Sequence, residues 1–113
     1  MRIAKVLGTV VSTHKEPSLR GVKFLVLQFV DEAGNSLEEY EVAADMVGAG
    51  VDEWVLVSRG SQARHVRDCE DRPIDAAVIA IIDTVNVSNQ SIYSKKDEAY
   101  LESGLRPKRM LGR

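Results

Sequence analysis

The segment "MVGAGVDEWVLVSRGSQAR" (residues 46–64) contains the glycines that come nearest to a phosphate-binding loop. A dinucleotide fingerprint needs G-x-G-x-x-G between a strand and a helix, so that the pyrophosphate meets the helix N-terminus. Here Glu53 occupies the position of the third glycine, and the segment leads into a strand. A Walker loop needs Gly-Lys-Ser/Thr, which the sequence lacks. We therefore expect no nucleotide cofactor, and we expect Gly48 and Gly50 to serve a turn with positive φ or a close backbone approach.

His65 and Cys69 are spaced four residues apart, so that both could face the same side of a helix and bind zinc. A zinc site needs further nitrogen or sulfur ligands to complete a tetrahedron. No second cysteine is present, and the other histidine, His14, lies in a distant polar loop. The sequence therefore predicts a surface histidine, a buried or inert thiol and no metal site.

Ser58 or Ser61 could act as a nucleophile with His65 as the base. Such a site requires a sharp turn between a strand and a helix, together with an oxyanion hole. The segment "VSRGSQA" stands between a predicted strand and a predicted helix, but it does not match G-x-S-x-G. We expect no catalytic residue here, and a small hydrolase remains an alternative that an ester-substrate screen would test.

The charge of the chain is divided unevenly along its 113 residues. Residues 1–94 carry 9 Lys/Arg against 14 Asp/Glu, whereas residues 95–113 carry 6 against 3. An acidic body is a poor surface for a phosphate backbone, so the charge argues against nucleic acid as a partner. The basic tail could contact an acidic partner or nucleic acid, although a solvated, frayed terminus is the favoured interpretation. No apolar stretch is long enough for a membrane span, and the single cysteine favours an intracellular location.

Apolar alternation and turn residues predict a small all-β domain over residues 1–94, followed by the tail 95–113. Gly8 interrupts the first strand, as a bulge or a tight bend of a barrel would. One short helix is predicted over Ser58–Val66, with a serine available to cap it. The pattern favours a small five-stranded β-barrel with one short helix. The predicted strands are Ile3–Thr13, Val22–Val30, Glu38–Ala44, Glu53–Val57 and Ala76–Val87.

Two of these strands, Val22–Val30 and Ala76–Val87, are apolar on both faces. The outer face of a small barrel should be polar unless something covers it, and one short helix cannot cover both strands. A chain of this length has limited means of burying its own surface. The surplus apolar surface therefore predicts a homo-oligomer.

Four long stretches together cover most of residues 1–94: "MRIAKVLGTVVST", "GVKFLVLQ", "YEVAADMVGAGVDEWVLVSRGSQAR" and "PIDAAVIAIIDTVNV". They resemble the EutN/CcmL family of bacterial microcompartment vertex proteins, and its carboxysome members most. The segment "RHVRDCEDR" departs from that family in detail, and the tail lies outside the resemblance.

The resemblance implies an OB-like β-barrel that assembles as a cyclic pentamer. In such shells hexameric proteins tile flat facets, and pentamers occupy the corners because a hexagonal sheet cannot close without five-fold defects. The implied location is the carboxysome shell in the cytoplasm, around ribulose bisphosphate carboxylase and carbonic anhydrase. The implied partners are other copies of the chain and hexameric facet proteins, with no cofactor, catalytic site or metal site.

A cyclic pentamer needs a heterologous interface, in which one patch meets a different patch on the next subunit. Small side chains favour close approach around a narrow axis. Either the set Gly48, Ala49 and Gly50 or the set Ser58, Gly60 and Ser61 could therefore line it. A vertex protein of a catabolic compartment and a barrel that binds single-stranded nucleic acid remain alternatives. The candidate interface residues from the doubly apolar strands are Leu25, Leu27, Phe29, Ile79 and Ile81.

Overall fold

A computed structural model describes residues 1–96 of the chain as a small all-β domain. Five strands close into a barrel in the order β1-β2-β3-β5-β4, and β6 and β7 form a separate two-stranded sheet. The predicted five-stranded barrel is confirmed. The strands are β1 (Arg2–Val10), β2 (Phe24–Val30), β3 (Ser36–Asp45), β4 (Trp54–Arg59), β5 (Ala76–Ile81), β6 (Thr84–Val87) and β7 (Gln90–Ser94). Within residues 1–96 no helix is long and apolar enough to cross a membrane.

Gly8 marks an irregular step in β1, as its position in the sequence predicts. Val6 pairs with Leu27 and Gly8 with Val26, so the register against β2 shifts between them. An extra residue in one strand of a pair bends that strand and increases its twist. The step therefore separates the first part of β1, where residues 2–5 pair with β4, from the last part, which pairs with β2 alone.

The final strand predicted over Ala76–Val87 is wrong in one respect, because the chain forms two strands there. β5 ends at Ile81, and the Ile82 amide then donates to the Trp54 carbonyl at 2.8 Å. β6 leaves the barrel and pairs with β7 through a turn at Ser88 and Asn89, whose φ angles are 50° and 63°. Because this turn contains no glycine, it lacks the strongest sequence signal of a tight hairpin.

The predicted helix over Ser58–Val66 is also corrected. β4 continues through Ser58 and Arg59, which pair with Ala77 and Ala76, and only a 3-10 turn follows over Gly60–His65. No side chain caps this turn; the residue at its N-terminal cap is Arg59 rather than a serine. A second 3-10 turn, over Pro17–Leu19, lies between β1 and β2.

The barrel interior is filled by inward-facing side chains of all five strands. Leu27 and Phe29 are fully buried there, and Ala49 enters the same core from the loop between β3 and β4. Burying such side chains contributes roughly 1.5–3 kcal/mol each for the large ones. The main members of this core are Ala4, Val6, Leu25, Leu27, Phe29, Ala43, Ala49, Val55, Val57, Ala76 and Val78.

Two segments of the chain itself cover parts of the outer barrel face. The loop that follows β4 packs Ala63, Cys69 and Ile74 against Ala44 and Ala77 of the barrel. The hairpin of β6 and β7 packs Tyr93 onto Trp54, with ring centroids 4.5 Å apart and planes inclined by 14°. Because this loop and this hairpin bury part of the outer barrel face, a chain of this size can contain strands that are apolar on both faces.

An arginine–glutamate cluster joins strands that are not neighbours in the barrel. The Arg2 guanidinium of β1 donates to Glu39 of β3 at 2.8 Å, and the Arg59 guanidinium of β4 donates to Glu41 of β3 at 2.9 Å. Both guanidinium groups lie over the ring of Phe29, with Cζ 3.9 and 4.9 Å from its centroid. Since β3 and β5 pair at only two positions, these charged groups help to hold β3 against the rest of the barrel.

Candidate assembly interface

The glycine loop, residues 46–53 between β3 and β4, is organised by the carboxylate of Asp45. Its Oδ1 accepts the amides of Val47, Gly48 and Ala49 at 3.1, 3.0 and 3.3 Å. Its Oδ2 is buried without a hydrogen bond and lies 3.6 Å from Nζ of Lys23. A carboxylate that accepts several amides holds a loop in one conformation, because each amide would otherwise lose its partner on burial.

Glu53 closes the other end of the glycine loop. Its Oε1 accepts the Gly50 amide at 2.6 Å, and its Oε2 lies 2.6 Å from Nζ of Lys95. Two hydrogen bonds lower the pKa of the Glu53 carboxyl below its usual value. The one from Lys95 has the larger effect, and the one from the Gly50 amide the smaller. The same contact with Glu53 raises the pKa of Lys95. The glycine loop is therefore held at both ends by hydrogen bonds to carboxylates.

Four consecutive amides of the glycine loop, those of residues 47–50, donate hydrogen bonds to the chain's own carboxylates, and the amides of Met46, Asp52 and Glu53 donate to backbone carbonyls. A phosphate-binding loop instead directs backbone amides towards its ligand. Gly48 has a φ of +78°, a conformation that glycine adopts without strain. The prediction of a turn with positive φ is confirmed for Gly48, whereas Gly50 does not have a positive φ.

The proposed nucleophiles and zinc ligands lie in separate environments. Ser58 is buried in β4, whereas Ser61 and His65 are exposed in the 3-10 turn. No hydrogen bond joins either serine to His65 within residues 1–96. Cys69 is buried 3.6 Å from the Met46 sulfur, and burial raises its thiol pKa. In the same part of the chain, no three His, Cys, Asp or Glu residues are grouped as metal ligands.

The structure corrects the set of residues predicted to face another subunit. Leu25, Leu27 and Phe29 are at most 1% exposed, because they point into the chain's own barrel. Ile79 and Ile81 are half-buried, and they pack against the covering loop and the barrel core respectively. The sequence of β2 shows that both faces of the strand are apolar, but it does not show which face points into the barrel.

One part of the outer barrel face is not covered by the chain within residues 1–96. We call it the apolar band: Leu7 of β1, Val26 of β2, and Tyr40 and Val42 of β3. Val26 pairs directly with Val42 and with Gly8, the neighbour of Leu7. Leu7 is 46% exposed, Val42 40% and Tyr40 68%. Sequence reasoning named none of these four as interface residues. The alternation of β3 predicts that Tyr40 and Val42 point inward, and the structure shows that this prediction is wrong, because both lie on the outer face.

The loops that were predicted to line a five-fold axis are only partly exposed. Ala49 belongs to the barrel core and Ser58 is 7% exposed, so their side chains cannot line an axis. Gly48 and Gly50 remain exposed in the glycine loop, and so do Gly60 and Ser61 at the start of the 3-10 turn. The basic tail, for which a solvated terminus was favoured over contact with an acidic partner or nucleic acid, falls outside the described residues except for Lys95 and Lys96.

Comparison with known proteins gives consistent matches over this domain. A family model described as ethanolamine utilisation protein EutN/carboxysome matches residues 1–83. The carboxysome shell vertex protein CcmL of Synechococcus elongatus is 80% identical over 99 residues, which are 88% of this chain and 100% of that protein. The solved structure of Gloeobacter violaceus CcmL is 67% identical with a TM-score of 0.82, and the match covers 86% of this chain and all of that one. The pentameric microcompartment shell protein GrpN of Rhodospirillum rubrum is 46% identical with a TM-score of 0.71, over 77% of this chain and 99% of that one.

Proposed function

Since this chain belongs to the EutN/carboxysome family, we propose that it is a structural protein that forms the pentameric vertices of a carboxysome shell. Its location is then the shell of a compartment in the cytoplasm, where carbon dioxide is fixed. The full length of a relative named as a carboxysome shell vertex protein matches at 80% identity, which supports this assignment. Its role is to close the shell, and no catalytic step is assigned to it.

The observation that carries the proposal is the uncovered apolar band. The chain covers two other parts of its outer barrel face with its own loop and hairpin, yet it leaves Leu7, Tyr40 and Val42 substantially exposed. Contiguous exposed apolar surface of this kind is typical of a protein–protein interface. We assign a second copy of the chain as the occupant, because a pentameric shell protein shares this fold at 46% identity.

A ring of five requires that the band of one subunit meets a different surface of the next. Close approach around the axis is possible where side chains are small. Gly48 and Gly50 on one loop, and Gly60 and Ser61 on another, are the exposed small residues that could supply it. The rigid anchoring of the glycine loop by Asp45 and Glu53 favours the first pair, because a fixed loop loses little conformational entropy on assembly.

The subunit count in solution tests the assembly. Native mass spectrometry should give five times the subunit mass of 12.5 kDa. Val42→Lys places a charge in the apolar band and should shift the distribution towards monomers. Val11→Lys is the matched control, since Val11 is 90% exposed beyond the end of β1 and should leave the pentamer intact. A monomeric wild type, or a Val42→Lys protein that stays pentameric, would contradict the proposed interface.

The vertex role is tested separately by assembly with hexameric shell proteins, the facet partners we propose. Hexamers alone should form open sheets or tubes. Addition of this protein should give closed particles visible by electron microscopy, and the Val42→Lys variant should not. If the protein forms pentamers but the hexamer sheets stay open, the proposed pentamer would stand and the proposed vertex role would be refuted.

A further inference from the structure

The loop between β1 and β2 forms an open surface cavity whose lining residues are all exposed. The cavity has a volume of about 420 Å³ and is lined by Thr13, His14, Lys15, Arg20 and Gly21. This volume lies within the range of about 300–1,000 Å³ that small-molecule sites occupy. Its lining supplies a guanidinium, an ammonium, an imidazole and a hydroxyl group, and it contains no carboxylate.

The two cations of this cavity have no acidic partner in the part of the chain that the structure describes. Within residues 1–96, no carboxylate oxygen lies within 4 Å of Lys15 or Arg20. The nearest acidic residue in sequence, Glu16, accepts the Ser18 amide at 2.7 Å and also the Ser18 hydroxyl. Glu16 is therefore engaged in capping the 3-10 turn over Pro17–Leu19.

A second cavity shows that this charge pattern is not general. It has a volume of about 500 Å³ and is lined by Arg64 and Arg72 together with Glu70 and Asp71. Its positive and negative charges are balanced, whereas the cavity at Lys15 and Arg20 carries an excess of positive charge. That excess occurs on a body, residues 1–94, in which acidic residues outnumber basic ones by 14 to 9.

We propose that the cavity between β1 and β2 binds a phosphate group, either as inorganic phosphate or as part of a small phosphorylated metabolite. The planar guanidinium of Arg20 can donate two parallel hydrogen bonds to phosphate oxygens, and Lys15 adds a compact positive charge. Thr13 can donate its hydroxyl to a third oxygen. The cavity is larger than the phosphate group alone requires, so it leaves room for an attached small molecule.

Isothermal titration at constant ionic strength tests the site with two probes, inorganic phosphate and glycerol 3-phosphate, and with glycerol as the uncharged control. Saturable binding of either phosphate probe supports the proposal, and their relative affinities distinguish the free ion from the ester. The double variant K15Q/R20Q should weaken binding by about tenfold or more, because charge-assisted hydrogen bonds are removed. R67Q removes an exposed arginine that lines neither cavity, and it should leave the affinity unchanged.

Three results would overturn the site: no saturable heat with either phosphate probe, equal weakening by R67Q, or equal competition by chloride at the same ionic strength. Native mass spectrometry and thermal unfolding of the same variants show whether they remain folded and pentameric. Because all the substituted side chains are exposed, loss of binding without loss of assembly is the expected pattern. Failure here would leave the vertex function untouched.

Discussion

Nζ of Lys95 lies 2.6 Å from Oε2 of Glu53, so the chain after β7 is tied to the loop that precedes β4. The other oxygen of the same carboxylate holds the Gly50 amide. The conformation of the glycine loop therefore depends on a residue that is 42 positions further along the chain, beyond the match of the family model at residue 83.

This ion pair predicts a defined dependence of stability on pH. Lys95→Gln should lower the free energy of unfolding near neutral pH, measured by urea denaturation. The stabilisation linked to Glu53 is fully present above its ordinary pKa of 4.5, and it is lost as the pH falls through the lowered pKa of the folded state. The part linked to Lys95 is fully present below 10.5 and is lost as the pH rises through the raised pKa.

The difference between wild type and Lys95→Gln should therefore disappear in strong acid and in strong alkali. Lys96→Gln is the control, since it removes the same charge from a neighbouring exposed residue that forms no ion pair within residues 1–96. An equal effect of both substitutions would show that overall charge, rather than the contact with Glu53, is responsible.

Asp45→Ala should destabilise the chain by about 3 kcal/mol, because three loop amides lose a buried acceptor. Asp31→Ala is a matched comparison: its carboxylate accepts the amides of Ala33 and Asn35 at 2.9 Å, but in an exposed turn where water replaces it. We expect a much smaller loss of stability there. Equal losses in chemical denaturation would argue that the burial of Asp45 has no energetic role.

Gly48→Val should destabilise the glycine loop and impair pentamer formation. A Cβ at this position meets nothing within 4 Å, so the cost arises from the φ of +78° and not from a clash. A non-glycine residue in this region costs roughly 1–2 kcal/mol, while Gly48→Asn should be better tolerated because asparagine adopts positive φ more readily. Thermal unfolding and native mass spectrometry measure the two effects. Equal stability of the valine and asparagine variants would refute the conformational reason.

Tyr93→Ala should uncover Trp54 and weaken the barrel by about 3 kcal/mol. The two rings are stacked at 4.5 Å, and Tyr93 is 3% exposed. Because Trp54 is the only tryptophan of the chain, its fluorescence reports the change directly, and the emission should shift to longer wavelength. Tyr93→Phe retains the stacked ring and should keep most of the stability. An unchanged emission spectrum for Tyr93→Ala would mean that the hairpin does not shield Trp54 in solution.

The sequence by itself determined the class of the fold and the character of its loops. Local rules of backbone geometry were enough to interpret three features of the sequence. These are the alternation in β3, the interruption of β1 at Gly8, and the Glu53 that stands where a dinucleotide fingerprint has its third glycine. Such rules depend on residues close in sequence, so they predicted the barrel strands, the irregular step in β1 and the positive φ of Gly48.

Only the tertiary structure decided which apolar side chains are covered by the chain itself. An apolar strand face shows that it must be buried, but the partner that buries it comes from a distant part of the chain. Leu25, Leu27 and Phe29 turn inward, and Tyr93 covers Trp54 through a hairpin whose Ser88–Asn89 turn carries no glycine signal. The band at Leu7 and Val42 is exposed because no segment within residues 1–96 reaches it, and contacts of such long range are not encoded in any local pattern.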